Sequence, residues 1–575
     1  MNAATFLKQF EHLAEAPNGI AKLRELILQL AVRGKLVPQD PNDEPASELL
    51  ERIEVEKKRL LAERMIRRSK SIPPIEPEDA PYEVPDSWRW SRIRHVTHDC
   101  GQTVPEAEFS YIDVGSIDGA IGKISDSPSV VAPEDAPSRA RKLVKLGTVI
   151  YSTVRPYLLN TAVVDSAFTP SPIVSTAFAV LHPFNGLEPR YLLHYLRSGP
   201  FTEYVNEAMT GMAYPAINDA KMSVGPVPIP PLAEQKRIVA KVDELMALCD
   251  NLEAKRQARR TKQIALNRAS LHALTEPNGT SLAAAWHRVR DHFDHLYTVP
   301  ETVADLRQTI LQLAVMGRLI PQDPNDEPAS ELLKKIQAAR QCLIAEGRAR
   351  RHKTLAPIEP GEVLQELPPQ WLWVRVGECA LIRGGKRIPK GMSFSSQPTD
   401  HVYIRVTDMQ GGSISDSDLR YVSEDVFKHI SNYTIDQNDL YITIAGSIGR
   451  VGTVPSRFHG MNLTENAAKL TFGVMDREFL CLALSSPVVQ EQFSGRVRQM
   501  AQPKLALKRI ADSIFPLPPL AEQKRIVAKV DQLMAVCDDL EAKLQQTQTD
   551  ADNLLTAIAH DLTSNTTEGP GGAGA

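Results

Sequence analysis

Two short segments of this chain set a cation beside residues that let a backbone come close to a ligand. One is Ser152-Thr153-Val154-Arg155-Pro156-Tyr157; the other is Ala445-Gly446-Ser447-Ile448-Gly449-Arg450. Glycine permits close approach, hydroxyls bond phosphates or base edges, and a guanidinium meets guanine or phosphate with two parallel bonds. Thr153, Arg155, Tyr157, Ser447 and Arg450 are therefore candidate nucleic-acid contacts. A plain hairpin with a surface arginine competes with each reading, and its recurrence at matching places weighs against it. Arg383–Gly391 is a third segment, with Lys386, Arg387 and Lys390 on a glycine-rich loop suited to phosphates. Further on, Gln502 and Lys504 in one stretch, and Tyr214, Asn218 and Lys221 in its counterpart, complete the candidate set; Gln and Asn can pair with adenine. A solvated charged face is the competing reading there.

Catalytic signatures are missing from the sequence. There is no G-x-x-x-x-G-K-[ST], no H-E-x-x-H, no G-x-S-x-G and no Asn-Pro-Pro-aromatic segment. The six cysteines form no C-x-x-C pair, and the fourteen histidines do not cluster at ligand spacing. Asp40, Asp43 and Glu44 precede a helix and read as capping rather than as metal ligands. We expect no catalytic residue, metal or cofactor in this chain. A net charge of −4 excludes a wholly basic surface but not a local basic face. No apolar run reaches bilayer length, and Met1–Pro17 lacks a signal-peptide core, so a cytoplasmic protein without membrane contact is expected.

The elements that must position these residues come in two copies. Leu23–Ile53 recurs at Leu306–Ile336, offset by 283, with 24 of 31 positions identical. Pro230–Lys255 recurs at Pro518–Lys543, offset by 288, with 23 of 26 identical. The second block places Ile238, Val242, Leu245 and Leu252, and again Ile526, Val530, Leu533 and Leu540, at alternating steps of three and four. That is the seam of a coiled coil, and the two copies are expected to pair with each other. Cys249 and Cys537 fall on the stripe as small apolar fillers. In the first block, Leu23, Leu26, Ile27, Leu30 and Ala31 form an apolar face ended by Gly34, and a second helix is predicted over about Ala46–Arg68.

Between the shared blocks lie two unlike inserts. Tyr111–Val114, Thr148–Val154, Asn160–Val164, Tyr403–Val406 and Asp439–Ala445 read as strands, and Tyr191–Leu196 and Glu478–Leu484 as short helices. The predicted order is a helical region over 1–81, a globule over 82–228 and a helical region over 229–364. A second globule over 365–517, a helix over 518–563 and a disordered tail over 564–575 follow. The bridge between halves holds the turn signal Pro277-Asn278-Gly279, with one more short helix expected over Ser281–His295.

The duplicated LxLAVxGxLxPQDPxDEPASELL block, the Trp88-Arg89-Trp90 and Trp371-Leu372-Trp373 segments with the prolines before them, and the doubled PPLAEQKRIVAKVD block resemble those of the specificity subunits of type I restriction-modification systems. Thr153–Asn160 and Ala445–Gly452 also look like that family's target-recognition motifs. The resemblance spans nearly the whole chain. It implies an α+β fold: two α/β target-recognition domains separated by two long helical regions that form antiparallel coiled coils, a pseudo-two-fold tandem duplication. It also implies a subunit without catalysis of its own, which reads a split, asymmetric double-stranded DNA site. Its partners would be two methyltransferase subunits, which carry S-adenosylmethionine, and restriction subunits, which use ATP and magnesium. A self-contained methyltransferase-nuclease and a two-domain DNA-binding regulator are the alternatives left open here.

Overall fold

The computed structural model describes residues 10–68, 72–76, 78, 80–211, 215–276, 282–345, 355–363, 365–494 and 504–564. The chain divides into two compact units. One comprises Met1–Arg259 and Thr547–Ala575; the other comprises Arg260–Gln546.

In the first unit, α1 (Gly19–Val32) and α2 (Ala46–Ala62) precede the insert. The apolar face predicted for α1 is buried from Leu23 to Ala31. Gly34 follows at φ +69°. The second helix is shorter than predicted and stops before the run of arginines. Its cap is Pro45, with no side-chain capping bond. The acidic residues before it work differently from our expectation: Asp43 pairs with Arg237, Glu44 with Arg52, and Asp40 closes a turn onto Asn42.

The insert opens with β1 (Arg89–Arg92), followed by β2 (Thr97–His98), β3 (Phe109–Ile112), β4 (Ser129–Val131), β5 (Ala140–Leu143), β6 (Val149–Ser152), β7 (Thr161–Val163), β8 (Pro172–Ser175) and β9 (Phe178–Pro183). Helices α3 (Pro189–Leu196) and α4 (Asp219–Val224) come next, and β10 (Pro226–Ile229) closes the insert against β1. One sheet has the order β2-β9-β6-β7; another has β4-β3-β8-β5, with β3 and β8 parallel. The chain then enters the long helix α5 (Leu232–Thr275).

The second unit repeats this plan. Helices α6 (Pro300–Val315) and α7 (Ala329–Ala345) precede an insert closed by β11 (Leu372–Arg375) against a final strand. Its strands are β12 (Ala380–Gly384), β13 (Tyr403–Ile404), β14 (Thr434–Ile435), β15 (Leu440–Thr443), β16 (Val451–Thr453), β17 (Met461–Leu463) and β18 (Ala467–Phe472). Helices α8 (Arg477–Ser485) and α9 (Leu507–Asp512) lead to the closing strand β19 (Ile514–Leu517) and then α10 (Leu520–Ser564). The sheet order β12-β18-β15-β16 matches that of β2-β9-β6-β7 strand for strand. The sheet β13-β17-β14 likewise keeps one parallel pair, β13 with β17. Inserts with little sequence resemblance thus share one topology.

The duplicated PPLAEQKR blocks lock each globule to its helices. Trp88 Nε1 donates to Glu234 Oε2 at 2.9 Å, and Trp371 Nε1 to Glu522 Oε2 at 2.9 Å. Gln39 and Gln322 donate to the other oxygens of the same carboxylates. Gln235 Oε1 accepts from the Glu188 backbone and Gln523 Oε1 from that of Asp476, each just before a helix of the insert. Arg237 pairs with Asp43, and Arg525 with Asp326, at 2.6 and 2.5 Å. Burial pushes both Glu234 and Glu522 above the ordinary carboxylate range.

The predicted seam residues are buried or packed, and what covers them is more than the other long helix. Ile238, Val242, Leu245 and Cys249 are buried in the first unit's core with α1, Trp88 and Tyr191, and Leu252 packs at its edge. Ile526, Val530 and Cys537 are buried in the second unit's core with Ala314, Trp371 and Phe479, with Leu533 and Leu540 beside them. A heptad stripe records only that one face is apolar, and here that face meets a globule and a short helix as well as another long helix. Contact between long helices includes the predicted seam residue Leu540, which packs against the cluster of Leu271 and Leu274 in the second unit, while Leu555, beyond the repeated block, joins the first core. The bridge helix is Leu282–Asp291 followed by a turn at Phe293–Leu296, and Pro277–Gly279 lies outside the described residues.

Candidate nucleic-acid interface

The two arginine loops occupy one topological position. Each joins the last two strands of a four-stranded sheet, β6 to β7 and β15 to β16. Each is bridged to the segment before the short helix near the insert's end, Val154 to Ala216 and Ala445 to Lys504.

In the first loop, Arg155 and Leu159 sit at φ +48° and +53°, left-handed positions unusual for side-chain-bearing residues. Such strain costs about 1–3 kcal/mol per residue and persists where surrounding contacts impose it. Those contacts are present. Arg155 N donates to Pro215 O at 2.9 Å, and Arg197 Nη1 holds Leu159 O at 2.9 Å while its Nη2 holds Gly119 O and Ala120 O. Tyr157 and Leu158 project at the tip, each 49% exposed. Thr153 corrects our expectation: it is buried, and its hydroxyl donates to Ala177 O at 2.8 Å, so it anchors the loop. Lys221 is also turned to the fold, its Nζ donating to Ala208 O at 2.7 Å. Asn218 Oδ1 caps α4 by accepting from Lys221 N. In both cases an ordinary local backbone demand claims the polar group first. Tyr214 lies outside the described residues.

In the second loop, the left-handed positions are glycines, Gly446 at φ +76° and Gly449 at +86°. Thr443 closes the loop: its hydroxyl donates to Ser447 O and accepts from Arg450 N. The side chains of Ser447 and Arg450 are left exposed. Gln502 lies outside the described residues.

The basic loop after β12 runs flush against the segment joining β17 to β18. Gly385 N donates to Ala467 O at 3.0 Å and Lys386 N to Leu463 O at 2.9 Å. A Cβ on Gly385 would stand 2.1 Å from Thr464 O, so only glycine fits. Lys386, Arg387 and Lys390 are exposed. Their organising group is one the sequence reading missed. Glu465 Oε1 accepts from Arg387 Nε at 2.7 Å; its Oε2 accepts from the Tyr403 and Thr464 hydroxyls, each at 3.2 Å; its carbonyl accepts from Lys504 Nζ at 3.3 Å. The single Tyr403 proton is shared between Oε2 and the carbonyl of Lys386, the nearer of the two at 2.8 Å. Burial raises the Glu465 carboxyl, but the bonds from Arg387, the backbone, Tyr403 and Thr464 outweigh it and hold it below the ordinary range. Arg387, Tyr403, Arg405, Thr407, Glu465 and Asn466 line an open concavity of about 520 Å³. A lone Glu between two strands carries no sequence signal of such a role.

Among the described residues, no group of three His, Cys, Asp or Glu side chains is placed to hold a metal ion, and no helix is long and apolar enough to cross a membrane.

Two like sheets bearing unlike exposed loops, on duplicated helical frames, define a two-domain recognition protein. The model of the type I restriction modification DNA specificity domain matches residues 142–259 and 368–547. The chain belongs to the specificity subunits of type I restriction-modification systems, which recognise DNA through two target-recognition domains. It is 34% identical over 561 residues to the EcoAI specificity subunit of Escherichia coli, covering 94% of each chain. It is 31% identical over 547 residues to the EcoEI specificity subunit of the same organism, covering 92% of this chain and 91% of that one. A solved chain from work on complex assembly and conformational transition of the type I R-M system aligns with TM-score 0.51 at 25% identity, over 84% of this chain and 99% of that one.

Proposed function

We propose that the chain reads a bipartite, asymmetric double-stranded DNA site, one half through each insert, taken as 82–228 and 365–517. The observation that carries this is the shared sheet topology with different loops at one position, Arg155 and Tyr157 against Ser447 and Arg450. Equivalent frames hold readers of different chemistry, so the two half-sites differ. Lys386, Arg387, Lys390 and Lys504 supply the second reader's cations, and phosphate contacts set register while base contacts set sequence. The helical regions at 1–81, 229–364 and 518–563 scaffold two methyltransferase subunits and the restriction subunits in the cytoplasm. S-adenosylmethionine, ATP and magnesium belong to those partners.

The test replaces residues 82–228 with the corresponding segment of a relative of different specificity and maps adenine methylation in cells. One half of the methylated motif changes and the other stays. A change in both halves together overturns the two-reader assignment.

A further inference from the structure

We propose that Glu465 is a specificity-determining residue of the second recognition domain: a fixed carboxylate that accepts a hydrogen bond from the exocyclic amine of a base and penalises DNA offering none. This rests on reading the basic loop as a DNA face. Three observations lead to it. The carboxylate of Glu465 bonds Arg387, its backbone carbonyl accepts from Lys504, and Tyr403 links it to the Lys386 backbone, so one acidic residue sits among the cations that would meet DNA. Its two oxygens are held unequally. Oε2 is held by the Tyr403 and Thr464 hydroxyls, while Oε1 bonds Arg387, whose side chain is 78% exposed. The carboxylate itself is largely covered, at 23% exposure, and faces the concavity beside Thr407 and Asn466.

The consequence is electrostatic. The guanidinium end of this pair stands in solvent, where a single such contact contributes little, so Arg387 can exchange its carboxylate for a phosphate or a guanine edge. Glu465 cannot follow, because its other oxygen is fixed. Every DNA that takes Arg387 therefore meets an unpaired carboxylate near its own phosphates. A cytosine or adenine amine in the major groove supplies the missing hydrogen; guanine and thymine present acceptors there and do not. Discrimination thus comes partly from a repulsive element set against wrong sequences.

The experiment uses the chain assembled with its methyltransferase subunits. Cognate and singly mismatched duplexes are titrated at several salt concentrations, and the methylated motif is mapped in cells. Glu465→Gln is expected to bind mismatched DNA more tightly, to lose about tenfold in discrimination at one position of the second half-site, and to leave that position degenerate in the map. Its salt dependence stays close to that of the unsubstituted complex, because Arg387 reaches the DNA in both, whereas Arg387→Ala lowers the log–log slope by about 0.9 if that contact is a phosphate. If Glu465→Gln left discrimination unchanged, or weakened all duplexes alike, the carboxylate would be only a brace for the loop. Should Glu465→Gln fail to assemble, Arg387→Ala alone decides: it leaves the carboxylate unpaired and must weaken mismatched DNA more than cognate, while equal weakening overturns the proposal. A complex indifferent to both Lys390→Ala and Arg450→Ala would instead remove the DNA face on which the proposal rests.

Discussion

The indole of Trp88 and the carboxylate of Glu234, 146 positions apart in sequence, meet at 2.9 Å beneath the first globule, and Trp371 and Glu522 repeat the bond in the second. Each carboxylate is almost fully buried, yet it also accepts from a glutamine of the turn-rich loop. A buried acceptor that loses a donor costs about 1–3 kcal/mol. Trp88→Phe should therefore destabilise the first unit by about that amount, beyond any packing loss. Glu234→Gln keeps an oxygen for the indole and removes the charge but sets an amide NH2 against that of Gln39, so it should also cost about 1–3 kcal/mol unless Gln39 turns its amide over. Because the folded carboxyl lies above its ordinary range, the native protein binds a proton more readily than the unfolded chain does. Stability from Glu234 thus rises as pH falls toward the ordinary carboxylate range, and Glu234→Gln removes that dependence. Urea unfolding at several pH values, followed by tryptophan fluorescence, measures both effects.

Gly34 and Gly317 stand at φ +69° and +68°. A Cβ at either would lie 2.5 Å from a proline Cγ, that of Pro85 or Pro368. Neither the backbone nor the contact accommodates alanine. Gly34→Ala and Gly317→Ala should each cost about 2 kcal/mol or more in the corresponding unit. Thermal melts of the two variants, with limited proteolysis to locate the loosened half, check this; a melt unchanged in either would mean that the proline segment yields.

Much of this architecture was legible in the sequence, and the exceptions have a common cause. The duplicated blocks, the apolar face of α1 and the strands β3, β6, β7, β13 and β15 are legible from identity, period and turn chemistry, which are local; the other, mostly short strands carry no such signal. The paired-helix seam followed from the same kind of signal, but a stripe does not name all that covers it, and Val242 and Val530 are buried with the globules as well. Val242→Asp consequently strikes the core that includes Trp88 and Tyr191, and should unfold the first globule as well as its helix. The side chains of Thr153 and Lys221 suit a nucleic acid by type, but the backbone carbonyls of Ala177 and Ala208 take their hydrogens. Glu465 escaped notice because its partners Arg387, Tyr403 and Lys504 are drawn from three separate stretches of chain.

Acid should weaken the first unit through His194. Burial, then Arg190 and Arg197, push this imidazole down to about 3. Asp243 Oδ1 lies 3.8 Å from His194 Nε2, but Arg190 already engages both oxygens of that carboxylate, so the pair does not rescue the charged form. The unfolded chain, titrating near 6.5, binds the proton first. Stability is therefore intact above about 6.5 and declines as pH falls toward 3. Counted from the matching helix starts at Glu188 and Asp476, the second unit has Leu482 at this position. His194→Leu should flatten the loss between pH 6 and about 4, measured as the denaturation midpoint at each pH.

The DNA-facing assignments separate by what they do to salt dependence. Arg450 and Lys390 are exposed on loops of the second insert, and the backbone of Arg450 is held by the Thr443 hydroxyl. If each meets a phosphate, Arg450→Ala and Lys390→Ala weaken every duplex alike and reduce the log–log salt slope by about 0.9 each. If Arg450 instead meets a guanine edge, its loss costs about 1–3 kcal/mol on the cognate site only and relaxes one position. Thr153→Val provides the contrast. Its hydroxyl is spent on Ala177 O, so the substitution should lower thermal stability while leaving the salt slope of the assembled complex untouched. A Thr153→Val complex with a shallower slope would place that hydroxyl at the DNA after all, and would mean that the β6–β7 loop opens on binding.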